Sequence, residues 1–327
     1  LDFLNNFQDN IPLVYNESSS KKMVIVEQPK TILIYNNQPH GRMELIELQI
    51  SDPNVIVIGT NGPIQAQIEP YFDTVSGKLT KSYLLVFSAH LKALSFVHFT
   101  IQKNHAATTE ITQILTPLKS LRMTKYISSN FHVKTISKNE FFLQTQRILV
   151  ELNPKNGLLE VPPTETLLRL LLGSAKVVFN KDSPSLKGIE TAAIYTNVET
   201  DGTKRLRCKQ EFSYYKSIFS GAYIMALQDA EVIKLKMTEA ETFIVSGPLR
   251  QIAYTSSRFV KQRLSVNNIS GAEENRLHMQ LRIDIRKMSD AELVTKFATD
   301  MIADDVEYYT DSNGLQVSFY YVNNSLI

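Results

Sequence analysis

The sequence predicts an all-β protein, a small β-sandwich followed by part of a larger antiparallel β-sandwich. Three observations carry this reading. From Thr31 onward apolar residues recur with a period of two, the repeat of a strand with one buried face. Strand-like segments follow one another roughly every ten residues, divided by Gly, Pro and Asn turns. No long stretch shows the 3.6-residue repeat of an amphipathic helix.

Residues 1–30 read as a connector, with a polar run at Asn16-Glu17-Ser18-Ser19-Ser20-Lys21-Lys22. Residues 31–104 form the small sandwich, immunoglobulin-like in size. Its strands are expected at 31–35, 43–50, 54–58, 64–69, 83–87 and 95–101, with Gly59-Thr60-Asn61-Gly62-Pro63 as one of the turns. A polar joint at residues 103–109 leads into the larger block, 105–327. Strands are expected there at 132–135, 147–152, 176–179, 221–227, 231–237, 242–245 and 276–286. The last is the clearest. Leu277, Met279, Leu281, Ile283 and Ile285 alternate with Arg276, His278, Gln280, Arg282, Asp284 and Arg286, as in a half-buried strand with one wet face. One helix is expected, at 163–173, from Pro163 near its start, a capping Thr164 and a stop at Gly173. Near the end, Asp311-Ser312-Asn313-Gly314 is turn chemistry between Tyr308-Tyr309 and the strand-like 315–320, so a hairpin is expected.

The composition is that of a globular protein. Hydrophobic residues make up 43% and charged residues 21% of the 327, enough for a substantial core. A net charge of +2 selects no polyanionic partner. No apolar run approaches the ~18 residues of a membrane span. Cys208 is the single cysteine, so no internal disulfide forms, and it reads as a small core residue. The sequons at Asn16, Asn268 and Asn323 are compatible with the secretory pathway. A homo-oligomer is compatible with the sequence. The chain begins with Leu1 and stops thirteen residues after Gly314, which suggests a piece of a longer protein.

Chemistry-bearing motifs are sparse. His40, His90, His98, His105, His132 and His278 are scattered, and none has His-x-Asp or His-x-x-x-His spacing. His98 and His278 fall on the polar phase of their strands and read as exposed residues. Asp304-Asp305 and Glu273-Glu274 are adjacent acids; neighbours on a strand point to opposite faces, so both read as solvated turn acids. No Gly-x-Ser-x-Gly, P-loop or dinucleotide fingerprint occurs. Lys204, Arg205, Arg207 and Lys209 precede Phe212, Tyr214 and Tyr215. With near-zero net charge and no RNA-recognition string, this cluster reads as a solvated strand edge rather than a nucleic-acid surface.

Several strings, in order, resemble the zinc-dependent α-mannosidases of glycoside hydrolase family 38. They are Thr31-Ile32-Leu33-Ile34-Tyr35-Asn36, Pro53-Asn54-Val55-Ile56-Val57, Gln65-Ala66-Gln67-Ile68, Leu84-Leu85-Val86-Phe87-Ser88-Ala89-His90-Leu91 and Asn156-Gly157-Leu158-Leu159. Phe212-Ser213-Tyr214-Tyr215, Ser220-Gly221-Ala222-Tyr223-Ile224, Asp284-Ile285-Arg286 and Tyr309-Thr310-Asp311-Ser312-Asn313-Gly314 complete the set. The tail is closer to the Golgi class II branch than to the lysosomal one. The chain departs from the family at Asn37-Gln38, at Ala226-Leu227-Gln228-Asp229, and in a longer 159–212 segment.

The resemblance implies the C-terminal β region of such an enzyme, with the larger sandwich galactose mutarotase-like. It implies a retaining glycosidase with a carboxylate nucleophile and a carboxylic acid/base, and a zinc ion held by two His and two Asp in an N-terminal domain upstream of every matched string. It implies mannose-bearing N-glycans as substrate and the Golgi lumen as location. Tyr223 is the residue that the resemblance assigns to the wall of the sugar pocket. No catalytic or metal-ligating residue is expected in this chain, which would be inactive without its catalytic domain. The other reading is a non-catalytic carbohydrate- or protein-binding β-sandwich module, a divergent paralog.

Overall fold

The computed structural model describes residues 23–73, 78–104, 109–117, 130–145, 149–160, 192–195, 208–220, 225–227, 232–237, 240–284, 291–299, 307–311 and 317–321. These are all-β, joined by single 3-10 turns at Lys138–Glu140 and Ala272–Asn275. The expected helix at 163–173, the strand at 176–179, Tyr223, Asp304-Asp305 and the sequons at Asn16 and Asn323 lie outside the described residues.

Two sheets come first. β1 (Lys30–Tyr35), β7 (Phe96–Lys103), β3 (Val55–Gly59) and β4 (Gly62–Ile64) form one, in the spatial order β1-β7-β3-β4. β2 (Arg42–Ile50), β6 (Lys78–Leu91), β5 (Ala66–Asp73) and β8 (Glu110–Ile111) form the other, in the order β2-β6-β5-β8. β6 is the longest strand, at 14 residues, and it runs well beyond the expected 83–87. Ala66, Ile68, Leu85, Phe87 and Ala89 from the second sheet are buried with Val57, Phe99 and Ile101 from the first. The packing follows the period of two, because alternate residues of each strand face the neighbouring sheet.

A seven-stranded sheet follows. It is built from β9 (Gln113–Thr116), β10 (Val133–Thr135), β13 (Ala192–Tyr195), β17 (Glu241–Ser246), β18 (Arg250–Ser256), β19 (Val260–Asn267) and β20 (Arg276–Ile283), in the order β10-β9-β17-β18-β19-β20-β13. All its pairings are antiparallel except β9 with β10. One face carries Ala253, Leu264, Val266, Leu277 and Met279 into a core shared with the small ribbon of β11 (Phe142–Gln144) and β12 (Leu149–Glu151). On the other face Phe243, Val245, Ile252 and Tyr254 join the first core. Hence the β2-β6-β5-β8 sheet is covered on both sides.

β14 (Cys208–Ser220) pairs with β21 (Ala291–Thr299) along nine residues of each strand, from Cys208 with Thr299 to Lys216 with Ala291. It also pairs with β15 (Met225–Leu227) and β16 (Ile233–Lys234). Lys209 therefore does not sit at a bare strand edge. It is paired along β21, its neighbour Gln210 donates from its backbone nitrogen to the Leu159 carbonyl, and its ammonium lies 2.9 Å from Glu211. β22 (Glu307–Asp311) and β23 (Val317–Tyr321) pair antiparallel, as the Asp-Ser-Asn-Gly turn predicts. Cys208 is half-buried against the second core.

Candidate functional site

The polar phases of β2 and β5 face the seven-stranded sheet. In β5, Ala66 and Ile68 point into the small sandwich, so Gln67 and Glu69 point the other way. Glu47 on β2 and Gln67 on β5 are both register partners of Val86 on β6, which puts all three in one row. Across from them, the opposing face presents Arg250 from β18 and Arg263, Ser265 and Asn267 from β19. Tyr254 pairs with Arg263, and Arg263 with Gln280; Ile252 pairs with Ser265, and Ser265 with His278. At His278 the polar side of β20 therefore turns toward β2, while Gln280 and Arg282 further along it are exposed, the wet face that the alternation predicts.

Charges meet at this seam. The Arg250 side chain is 4% exposed and that of Glu69 is 1%. The guanidinium donates in a fork to Glu69, from Nε to Oε1 at 2.6 Å and from Nη2 to Oε2 at 2.7 Å. It also donates from Nη1 to Glu47 Oε1, an oxygen that Arg263 Nη2 reaches at 3.0 Å. Gln67, fully buried, donates to Glu69 Oε1 at 2.6 Å and accepts from the Leu249 backbone nitrogen at 2.7 Å. Gly247 makes that approach possible, because a Cβ there would stand 2.5 Å from Gln67 Oε1. Charge-assisted, forked bonds of this kind are the strong ones, and they meet the large desolvation cost of buried charges.

The electrostatics follow from that geometry. Burial opposes ionisation of Glu47, but the charges and hydrogen bonds of Arg250 and Arg263 outweigh it and hold the carboxyl well below the usual range. Arg250 is likewise disfavoured by burial, yet Glu69 and Glu47 hold it firmly protonated. Tyr254, buried beside Phe243 and Phe72 with ring centroids 5.2 and 4.7 Å away, has its hydroxyl pushed up to about 12 by that burial.

Beside the charged seam lies a cleft of about 280 Å³. Glu44 and Glu47 border it on one side. Arg263, Ser265, Asn267, His278 and Gln280 border it on the other, and Glu273 reaches in from the 3-10 turn. Glu273 accepts from Asn267 Nδ2 at 2.9 Å and from Arg276 Nη1 at 2.7 Å, and its Oε2 lies 2.6 Å from His278 Nε2. Burial disfavours its charge, but His278 foremost, with Asn267 and Arg276, brings the carboxyl down to about 2. Burial pushes Glu44 up, against the opposing pull of Arg42. Two expectations change here. His278 is half-buried and paired rather than exposed. Glu273 is a partnered acid of the cleft, while Glu274 closes the 3-10 turn by accepting from the Gly271 nitrogen at 2.8 Å. His98 is exposed, as expected.

Among the described residues no three His, Cys, Asp or Glu side chains gather as a metal site, and no helix is long and apolar enough to cross a membrane. Sequence reasoning passed over Gln67, Glu69, Arg250 and Arg263. The available signal was the unbroken apolar run Tyr83-Leu84-Leu85-Val86-Phe87, which marks a strand covered on both faces. The polar phase of its neighbours then has to be buried as well.

Fold and seam together define a β-sandwich protein in which two packed sheets are tied to a third, larger antiparallel sheet by buried charge. No protein-family model matches the chain. It is similar to human "Alpha-mannosidase 2", 20% identical over 323 residues, which is 97% of this chain and 24% of that protein. The ordered strings that resemble glycoside hydrolase family 38 are thus matched by a similarity that runs over nearly the whole chain. The chain spans about a quarter of the length of this curated relative.

Proposed function

We propose that the chain is the C-terminal β region of a zinc-dependent, retaining α-mannosidase that acts on mannose residues of N-glycans in the Golgi lumen. The observation that supports this most is the similarity to human "Alpha-mannosidase 2" over 97% of the chain. In this reading the seam holds the β region rigid, so that it buttresses a catalytic domain elsewhere in the protein and lends Tyr223 to one wall of the sugar pocket. The described residues do not fit a zinc ion, and the reading places the metal, the nucleophile and the acid/base in that catalytic domain. The partners are then a mannose-containing glycan and the catalytic domain itself.

The test is hydrolysis of an aryl α-mannoside by this chain and by the longer protein. The expected result is turnover by the longer protein, abolished by a chelator and restored by zinc, and none by the chain alone. Zinc-dependent hydrolysis by the chain alone would overturn the reading. The second reading, a non-catalytic binding module, is favoured by one observation, the polar cleft beside the seam. A longer protein that binds glycans yet never turns over a mannoside would support it.

A further inference from the structure

We propose that Asn268 is an acceptor site for an N-linked oligosaccharide, attached through its side-chain nitrogen. The proposed Golgi location enters only as the route by which the natural protein meets the transferase. The acceptor site itself stands on the residues around Asn268.

Asn268-Ile269-Ser270 is an Asn-x-Ser sequon, and of the three in the chain it is the one that falls among the described residues. A sequon is used where the chain presents it at the surface and the fold leaves room for a bulky, solvated group. Both conditions are met. The tripeptide follows β19 directly and leads into the 3-10 turn Ala272–Asn275. Ile269 is only 6% exposed and anchors the segment, while Asn268 and Ser270 on either side of it are exposed. Beyond Ser270, Gly271 has φ +100, and a Cβ there would meet nothing within 4 Å. Open space therefore flanks the hydroxyl. At the amide, Asn268 borders a hollow of about 440 Å³ together with Gln144, Pro248 and Gln251. A first sugar ring fits beside Nδ2 without displacing a core residue. Asn267 makes the contrast. It has Ile269 rather than a hydroxyl two residues on, it is half-buried, and its amide donates to Glu273 at 2.9 Å.

In the fold, Asn268 Nδ2 donates to the Pro248 carbonyl at 3.0 Å and the Asn268 backbone nitrogen donates to the Leu249 carbonyl at 2.7 Å. The transfer belongs to the chain before this turn closes. The co-reactant is a lipid-diphosphate-linked oligosaccharide. A bond forms from Nδ2 to the anomeric carbon as the bond from that carbon to the diphosphate oxygen breaks. The lipid diphosphate leaves, and one amide proton passes to it. The linked nitrogen keeps its second hydrogen. A glycan here holds this end of the seven-stranded sheet in solvent, so a catalytic domain of the longer protein would pack against another surface.

The test routes the intact chain through the secretory pathway of eukaryotic cells with a cleavable signal peptide. The protein is treated with peptide:N-glycosidase in heavy-oxygen water and mapped by tandem mass spectrometry. Secreted and cell-retained pools are mapped alike, because the glycan is added before folding is complete and poor secretion would not hide it. In most molecules Asn268 is expected as heavy-oxygen Asp within the tryptic peptide Leu264–Arg276. Ser270→Ala, which leaves Asn268 in place, should abolish the label, and Ser270→Thr should keep it. An unlabelled Asn268 in the routed chain overturns the proposal, as does a label that survives Ser270→Ala. A labelled routed chain beside an unglycosylated longer protein from its own cells upholds the acceptor site and counts against the Golgi location instead.

Discussion

At the scale of single residues, Arg250 decides how much the seam contributes. It bonds to carboxylates on both β2 and β5. Arg250→Ala would leave Glu69 and Glu47 buried beside a void, and stranding buried charge costs about 3–5 kcal/mol. Urea unfolding should show a loss of that order; a loss under 1 kcal/mol would mean that water reaches the carboxylates freely. Replacing Arg250 together with Glu69 by apolar residues of similar volume should recover much of it, since an apolar pair has no charge to desolvate.

Glu273 sets a pH dependence whose sign follows from its environment. Its carboxyl lies at about 2 in the fold against an ordinary 4.5. A depressed acid contributes stability above its unfolded value and loses it as pH falls through the folded value. The chain should therefore lose stability between about pH 4.5 and pH 2, and Glu273→Gln should flatten that fall by about 1–2 kcal/mol after solvent screening at this partly open site. Glu47 acts in the same direction. Glu44, pushed up, acts in the opposite one, because its protonation removes a poorly solvated charge. Urea midpoints of the wild type and Glu273→Gln measured from pH 7 to pH 3 check this; parallel curves would refute it.

At the scale of elements, the turn after β12 shows how a short string acts at a distance. Asn153 Oδ1 accepts from the Lys155 nitrogen at 2.8 Å, and the Gly157 nitrogen donates to the Asn153 carbonyl at 2.7 Å. Gly157 has φ +65 and lies over the register partners Thr242 and Thr255, where a Cβ would fall 1.9 Å from Thr255 Oγ1. Gly157→Ala thus combines left-handed strain with a clash against β17 and β18. A destabilisation of about 2–4 kcal/mol is expected, beyond the ~1 kcal/mol of the φ penalty alone. Thermal unfolding would reveal it, and an unchanged midpoint would contradict the close packing.

Strands with one apolar phase were the legible elements. Residues 31–35, 43–50 and 242–245 declare themselves because alternation or β-branched content marks the face they bury. The expected 276–286 strand is observed over Arg276–Ile283. β18 and β19 were missed because Arg250, Tyr254, Gln262 and Ser265, all buried, and the half-buried Arg263 break the apolar pattern. Propensity reads a polar residue as wet. Only the partner strand, 181 residues away for the Arg250–Glu69 contact, shows that it is not. The cleft was invisible for the same reason. Glu44, Ser265 and Glu273 come from three separate stretches, and no local spacing links them.

At the scale of the whole molecule, the question is whether the two sheets built from β1–β8 and the seven-stranded sheet behave as one body. The first core runs without interruption from Val26 and Ile50 to Phe243, Ile252 and Tyr254, and the seam crosses the same boundary with forked hydrogen bonds. Weakly joined units unfold separately, while units that share a core and buried charges unfold together. Heating the intact chain should therefore give a single transition, coincident by far-ultraviolet circular dichroism and by tyrosine fluorescence, the latter being usable because the chain has no Trp. Arg250→Ala should do more than lower this midpoint. With the fork to Glu69 gone, the apolar contacts around Ile252 and Tyr254 must hold the sheets together unaided, and the two probes should separate. Two resolved transitions in the unaltered chain would show that the seam is a contact between independent parts rather than the joint that makes them one.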